Sequence, residues 1–212
     1  MFTVNGLIYK NILHIDKLEI PDHKIICLFG ESGSGKSTLL KMFNQMLSPD
    51  DGEITYKSQP IQEFPSVELR REVVMLGQDP IVFDETVREN LQKGLEFAER
   101  ELEDDQTLIK MLGKLKLDKS LDEDASKLSG GEKQRIALAR VLLMKAEVYL
   151  MDEPTSALDE NTEHLVMDVF TEFIRTHQKT AVMVTHSKEV AEKYADQVVY
   201  MSDILNRRGA VT

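Results

Sequence analysis

Cysteine is nearly absent. Cys27 is the single one in 212 residues, so no internal disulfide can form, and its place in an apolar run marks it as a small packed side chain, not a nucleophile. Long hydrophobic runs are missing too. No apolar stretch approaches the roughly 18 residues that a membrane-spanning helix needs, which predicts no direct membrane insertion. The opening Met1-Phe2-Thr3-Val4-Asn5 carries no basic segment leading into an apolar one, so no secretory signal is expected. Positive charge is in deficit: 26 Lys and Arg against 37 Asp and Glu leave a net charge of −11. A nucleic-acid-binding face is usually basic, so no nucleic-acid partner is expected, although a local basic patch is compatible with the total. These absences together predict a cytoplasmic chain. The balance of 42% hydrophobic and 30% charged residues is that of an ordinary globular domain, and residues 1–212 read as one domain with ample chain for a core.

Along the chain, strand-like runs occur at Thr3 to Tyr9 and around Leu18 to Ile20, then at Glu53 to Tyr56 and Val73 to Leu76. Pro49-Asp50-Asp51-Gly52 is a turn signal. From about Asp79 to Lys127 the pattern turns helical, with an acidic patch at Glu96 to Asp105 that reads as a solvated helix face and loop. Strand and helix then alternate: Glu147 to Met151, Glu160 to Thr176, Thr180 to Val184, Lys188 to Tyr194 and Gln197 to Met201. This is an α/β pattern with a helical insertion over about residues 79–140, and no linker or internal repeat divides it.

Two glycine-rich segments stand out against this pattern. Gly30-Glu31-Ser32-Gly33-Ser34-Gly35-Lys36-Ser37-Thr38 fits G-x-x-x-x-G-K-[ST], a loop that cradles phosphate. The wholly apolar Ile25-Ile26-Cys27-Leu28-Phe29 before it reads as a buried parallel strand, and a helix from Ser37 to Leu47 is expected after it. Glycines there free backbone amides to face phosphate oxygens. Lys36 adds its charge to the positive end of the helix dipole, and the Ser37 hydroxyl is placed to bind Mg²⁺. A flexible Gly/Ser linker is the plainer alternative, and the flanking strand and helix argue against it. The second segment is Leu128-Ser129-Gly130-Gly131-Glu132-Lys133-Gln134-Arg135, a turn at the start of a helical pattern.

Acids follow where such a loop would need them. Val148-Tyr149-Leu150-Met151 ends in Asp152-Glu153, and ligands in open α/β sheets sit at the carboxyl ends of strands. Asp152 would hold Mg²⁺ opposite Ser37, and Glu153 would orient a water for attack on the γ-phosphorus. The competing reading is a turn beginning before Pro154. His186, at the end of the strand Thr180 to Val184, and Gln78, after Val73 to Gly77, hold similar strand-end positions. Spacing alone leaves both open between structural and catalytic roles.

These motifs, in this order, resemble the ATPase subunit of ATP-binding cassette (ABC) transporters over nearly the whole chain. The phosphate loop, a glutamine loop at Gln78, the signature Leu128 to Glu132, Asp152-Glu153, the loop Ser156-Ala157-Leu158-Asp159 and a switch histidine at His186 all match. The resemblance implies a P-loop NTPase core with a mixed sheet flanked by helices, an N-terminal antiparallel β region and a helical signature subdomain. It implies ATP and Mg²⁺ as ligands, with Glu153, His186 and Gln78 catalytic and Ser37, Gln78 and Asp152 near the metal. Ser129, Gly130 and Gly131 would form a second anion site for the ATP of a partner copy, in a head-to-tail homodimer, with Asp159 shaping the dimer contact. Tyr9 resembles the aromatic residue that stacks on adenine; the alternative is a strand tyrosine packed on the core. Lys133 and Arg135 read as structural or interface charges.

The resemblance also implies a separate transmembrane permease, received around Gln78 to Asn90 with Phe83 as anchor or as core, and so a peripheral place on the inner face of the membrane. The stretch Gln78 to Leu91 resembles exporter-type ATPases, but Asp122-Glu123-Asp124-Ala125-Ser126-Lys127 does not match their T-x-V-G-E segment. Little chain follows His186, so no appended regulatory domain is expected. The pattern is most similar to small bacterial stand-alone subunits of the iron-export type. A non-transport cassette ATPase, such as one for iron–sulfur cluster assembly, is the alternative.

Overall fold

A computed structural model describes residues 1–205. Nine strands fall into two sheets: β1 (Phe2–Tyr9), β2 (Leu13–Ile20), β3 (Ile25–Phe29), β4 (Asp51–Tyr56), β5 (Gln59–Pro60), β6 (Val73–Leu76), β7 (Val148–Asp152), β8 (Thr180–Val184) and β9 (Gln197–Tyr200). One sheet runs β2-β1-β4-β5 and is antiparallel; the other runs β6-β7-β8-β3-β9 and is wholly parallel. The expected mixture of strand senses is thus divided between two sheets, each of one sense. Helices α1 (Lys36–Phe43) and α2 (Ser66–Glu72) precede β6; α3 (Val87–Phe97), α4 (Asp105–Lys114) and α5 (Gly130–Leu143) lie between β6 and β7; α6 (Glu160–Thr176), α7 (Lys188–Tyr194) and α8 (Met201–Ile204) complete the order.

Strands β3, β6, β7 and β8 are largely apolar because both their faces are covered, whereas edge strand β9 exposes Gln197 and Tyr200. Alternation sorts them. Ile26, Leu28, Val148, Leu150, Val182 and Val184 face a core shared with α1 and the antiparallel sheet. Ile25, Cys27, Tyr149, Met151, Ala181 and Met183 face a core built with the helices on the other side. Cys27 is fully buried, and burial pushes its thiol up to about 12.

Two local readings differ from the structure. Helix α1 stops at Phe43, four residues early, because Gln45 takes a left-handed φ of 57° and the Met46 amide folds back to the Lys41 carbonyl at 2.8 Å. Strand β2 begins five residues sooner than its apolar end suggested, drawn into register by pairing with β1 from Tyr9↔Leu13 onward. Helix α2 and the short β5 had no sequence signal beyond the turn-like residues around them. Over 96–105, α3 runs out at Phe97 and Asp104 caps α4 by accepting from the Thr107 amide at 2.7 Å.

The consequence for function is geometric. Because β3, β6, β7 and β8 are parallel, their carboxyl ends lie on one edge, and Leu28, Val184 and Asp152 are in register there. The chain leaves that edge at Gly30, Gly77, Glu153 and Thr185. No described helix is long and apolar enough to cross a membrane.

Candidate active site

The loop between β3 and α1 turns through two left-handed glycines, Gly33 at φ 79° and Gly35 at φ 88°. Space is as restrictive as torsion at the second: a Cβ on Gly35 would lie 2.5 Å from Leu13 Cδ2 and 3.1 Å from Ile12 Cγ2. Gly35 is also the N-cap of α1, with no side-chain cap for the first helical amides. Those uncapped amides and the helix dipole form an anion-attracting end. Lys36, only 5% exposed, donates from Nζ to the carbonyls of Gly30 at 2.8 Å and Glu31 at 2.7 Å. Burial pulls its pKa below the ordinary lysine value, while the carboxylates of Glu153 and Asp152 oppose that shift.

Opposite the loop, the Ser37 hydroxyl donates to Asp152 Oδ1 at 2.9 Å. Burial pushes the Asp152 carboxyl above its usual range; the Ser37 bond works against this, and the neighbouring Glu153 charge adds to it. A hydroxyl and a desolvated carboxylate in contact are an oxygen-donor pair suited to a hard divalent cation. Such a cation would offset the burial cost at Asp152. The donor set fits Mg²⁺.

Glu153 is the meeting point of three strand ends. Its backbone is left-handed, φ 50°, and its amide donates to the Val184 carbonyl at 3.0 Å. Its carboxylate lies 2.6 Å from His186 Nε2 and accepts from Gln78 Nε2 at 3.3 Å. Gln78 and His186, more than a hundred positions apart along the chain, therefore share the Glu153 carboxylate. With Lys36, Ser37, Thr38, Gly33, Gly35 and Ser32 they line a cavity of about 360 Å³.

The remaining predicted residues fall elsewhere. Glu31 and Ser34 sit on the outer side of the loop against Tyr200 and Met201. Tyr9, partly buried at the end of β1, packs beside the core under the antiparallel sheet. Lining the phosphate cavity from that hairpin is Ile12, three residues on, with 42% of its surface exposed. Ser129 caps α5 in a reciprocal box with Glu132: Ser129 Oγ accepts from the Glu132 amide at 3.4 Å and Glu132 Oε2 from the Ser129 amide at 2.8 Å. The bond from the Ser129 amide first, then the Ser129 hydroxyl and the Lys119 ammonium 3.1 Å away, hold the Glu132 carboxyl below its usual range. A Cβ on Gly130 would meet nothing within 4 Å, whereas one on Gly131 would press on Leu158 Cδ2 at 3.1 Å. Ser129 and Gly130 thus face outward, and Gly131 is small because the Ser156–Asp159 loop packs on it. None of the three lines the cavity of their own chain's phosphate loop. Asp159 caps α6, accepting from Thr162 N at 3.1 Å and Thr162 Oγ1 at 2.7 Å. Arg135 is structural: it donates to the carbonyls of Leu115 and Lys116 at the end of α4.

Two further features take their shape only in the structure, the first of them partly within the stretch Gln78 to Asn90 expected to receive a permease. An apolar groove of about 410 Å³ opens beside Gly77, between the sheet edge and the helices, walled by Met46, Ile81, Phe83, Phe97 and Met144. Ile81 and Phe97 are 69% and 68% exposed. Its wall is fixed from below by Arg140, which donates to the Asn90 and Ile81 carbonyls at 2.7 and 2.8 Å and lies 5.1 Å under the Phe83 ring. Burial lowers that guanidinium to about 10. The second is a cluster of Glu160, His164 and Glu189 joining α6 and α7. Lys193 Nζ lies 3.4 Å from His164 Nδ1 and Glu189 Oε1 lies 3.5 Å from His164 Nε2, and none of these residues lines the phosphate-loop cavity.

Comparison with known proteins identifies the family and the fold. The ABC transporter family profile matches residues 13–156. The chain is 36% identical over 187–194 residues to relatives that include the L-cystine import ATP-binding protein TcyN of Bacillus subtilis, where the match covers 88% of this chain and 74% of that one. An ATP-dependent lipid A-core flippase of Alcanivorax borkumensis is 35% identical over 83% of this chain, which spans only 31% of the flippase. Among solved structures, a dimeric ATP-binding cassette in a post-hydrolysis state bound to ADP and Pi superposes with a TM-score of 0.83 at 26% identity, covering 94% of both chains.

Proposed function

The chain belongs to the ABC transporter family, and from that premise we propose that it is the nucleotide-binding subunit that drives a separate membrane permease by hydrolysing ATP, with efflux as the direction. Relatives by name include both an importer and a flippase, so direction rests on the exporter-like stretch Gln78 to Leu91. The observation that carries the catalytic part is the convergence of Glu153, His186 and Gln78 on one point beside Lys36 and Ser37.

The loop amides and Lys36 bind the β- and γ-phosphates, Lys36 turning from its own loop carbonyls toward phosphate oxygens. Ser37 and Asp152 would hold Mg²⁺, which when bound would neutralise charge on the phosphates. Glu153 accepts a hydrogen bond from the attacking water and fixes its line of approach, the main contribution a side chain can make to phosphoryl transfer. His186 holds the Glu153 carboxylate from the γ-phosphate side, and the neutral Gln78 amide reports the state of the site to the groove next to it. Outward-facing Ser129 and Gly130, at the positive end of α5, supply a second anion face for the ATP of a partner copy. This supports the head-to-tail homodimer, in which neither site is complete alone.

The groove beside Gln78 suits an amphipathic cytoplasmic helix of the permease, with Phe83, Phe97 and Ile81 as its apolar contacts. Such a partner would hold the chain at the inner face of the membrane. Extraction in mild detergent should co-purify a multi-span membrane protein. Deleting the gene should raise the cellular content of cargo, a metal ion being the first class to measure, and a Glu153→Gln copy should fail to reverse it. Reduced uptake together with a co-purifying solute-binding protein would overturn efflux.

A further inference from the structure

Gln134 lies one turn into α5 and is 1% exposed. A buried carboxamide has to satisfy both its ends, and this one does so on a single short turn. Its Nε2 donates to the Glu153 carbonyl at 3.1 Å and its Oε1 accepts from the Ala157 amide at 2.9 Å. The orientation of the amide is fixed chemically, since a carbonyl only accepts and a backbone amide only donates. One turn of helix earlier, Gly131 packs on Leu158 and on the Ala157 carbonyl. The face of α5 carrying positions 131 and 134 therefore rests on residues 153–158.

That turn needs support. A side-chain-bearing residue at φ 50° sits about 1–2 kcal/mol above its relaxed state, and such residues persist where their surroundings over-determine them. Glu153 is held at its amide by Val184 and at its carbonyl by Gln134 and by the Ser156 amide at 3.2 Å. The left-handed backbone sends the carboxylate to His186 and Gln78. Lose the hold on the carbonyl and the peptide is free to rotate, taking the carboxylate with it.

We infer that Gln134 is a positioning residue for ATP hydrolysis: its buried carboxamide fixes the backbone of Glu153, and so the aim of its carboxylate, relative to the helix that begins at Ser129. The inference rests on Glu153 being the carboxylate that orients water. It adds a link: a shift of α5 caused by an anion at Ser129 and Gly130 reaches the chain's own Glu153 through one side chain.

The test compares purified wild-type chain with Q134M, of similar length but without either bond, and Q134E, which keeps an acceptor for Ala157 and sets an oxygen against the Glu153 carbonyl. Steady-state ATPase activity, mant-ATP affinity and thermal melting are measured for each. Both variants should lose about 10- to 100-fold in kcat, the scale of a misplaced reacting group, with mant-ATP Kd within about threefold of wild type. Protonating the buried carboxyl of Q134E restores a donor, so its deficit relative to wild type should shrink as pH falls, while that of Q134M should not. In a Glu153→Gln background, Q134M should cost nothing further. Turnover within twofold of wild type in both variants, or losses that multiply on that background, would overturn the inference. Normal turnover of Glu153→Gln alone would instead remove the reading of Glu153 itself. If Q134M does not fold, Q134E and its pH profile decide.

Discussion

Alanine at three motif glycines separates torsion, space and helix propensity. Gly35 combines a φ of 88° with Leu13 Cδ2 at 2.5 Å from the position of a new Cβ, and Leu13 is fully buried and unable to withdraw. The left-handed backbone costs an L-residue about 1–2 kcal/mol and overpacking a filled core about 1–3 kcal/mol, so Gly35→Ala should cost about 2–5 kcal/mol. Gly33 shares the torsion, φ 79°, but has open space around it, and Gly33→Ala should cost only the first part, about 1–2 kcal/mol. Gly130 is the first residue of α5 with nothing near. Alanine there should be neutral or gain up to about 1 kcal/mol. Urea unfolding at 25 °C without nucleotide, followed by far-UV circular dichroism, reads all three as midpoint shifts at unchanged slope. Gly35→Ala within about 0.5 kcal/mol of wild type, or Gly33→Ala costing more than Gly35→Ala, would refute the reasoning.

Other expectations follow from the same geometry. Glu132→Ala removes half of the α5 capping box and should cost about 1 kcal/mol at neutral pH. Because the folded state holds Glu132 below its unfolded pKa, that difference should be full at neutral pH and fade in urea titrations as pH falls through the folded value. Cys27, buried and raised to about 12, should resist a thiol reagent at pH 8 and react only in denaturant, so rapid native labelling would contradict its packing. Phe97→Asp places charge on the wall of the groove at an exposed position. It should abolish co-purification of a membrane partner while leaving mant-ATP binding within about twofold; an undiminished yield of partner would argue against docking there.

Contiguous motifs were the legible part of the site. Gly30 to Thr38 is one uninterrupted loop, and Asp152-Glu153, His186 and Gln78 each end an apolar run, so parallel pairing alone gathers them. Strands β6 and β8 and helices α6 and α7 matched their patterns because each is bounded by turn residues and buries a regular face. The start of β2 was not legible, since Leu13-His14-Ile15-Asp16 alternates too briefly to stand out from its charged surroundings and depends on β1 for its register. The family resemblance pointed to Tyr9 upstream of the loop; no local pattern pointed to Ile12, which the hairpin turn brings to the cavity. The walls of the groove outside Gln78 to Asn90, and Gln134, were not legible for a shared reason. Arg140 reaches Asn90 and Ile81 across 50 and 59 positions, and Gln134 reaches Glu153 across 19, and no local pattern encodes such contacts.

The central claim is that Glu153, held between His186 and Gln78, orients the attacking water. Glu153→Gln keeps size and hydrogen bonding to Gln78 while removing the charge that orders the water. Phosphate release per bound ATP, measured beside mant-ATP affinity and the mass of the ATP-bound species in solution, tests this directly. Affinity should stay within about threefold of wild type, phosphate release should slow by roughly two to four orders of magnitude, and an ATP-bound dimer should accumulate. Near-normal phosphate release from Glu153→Gln would contradict it.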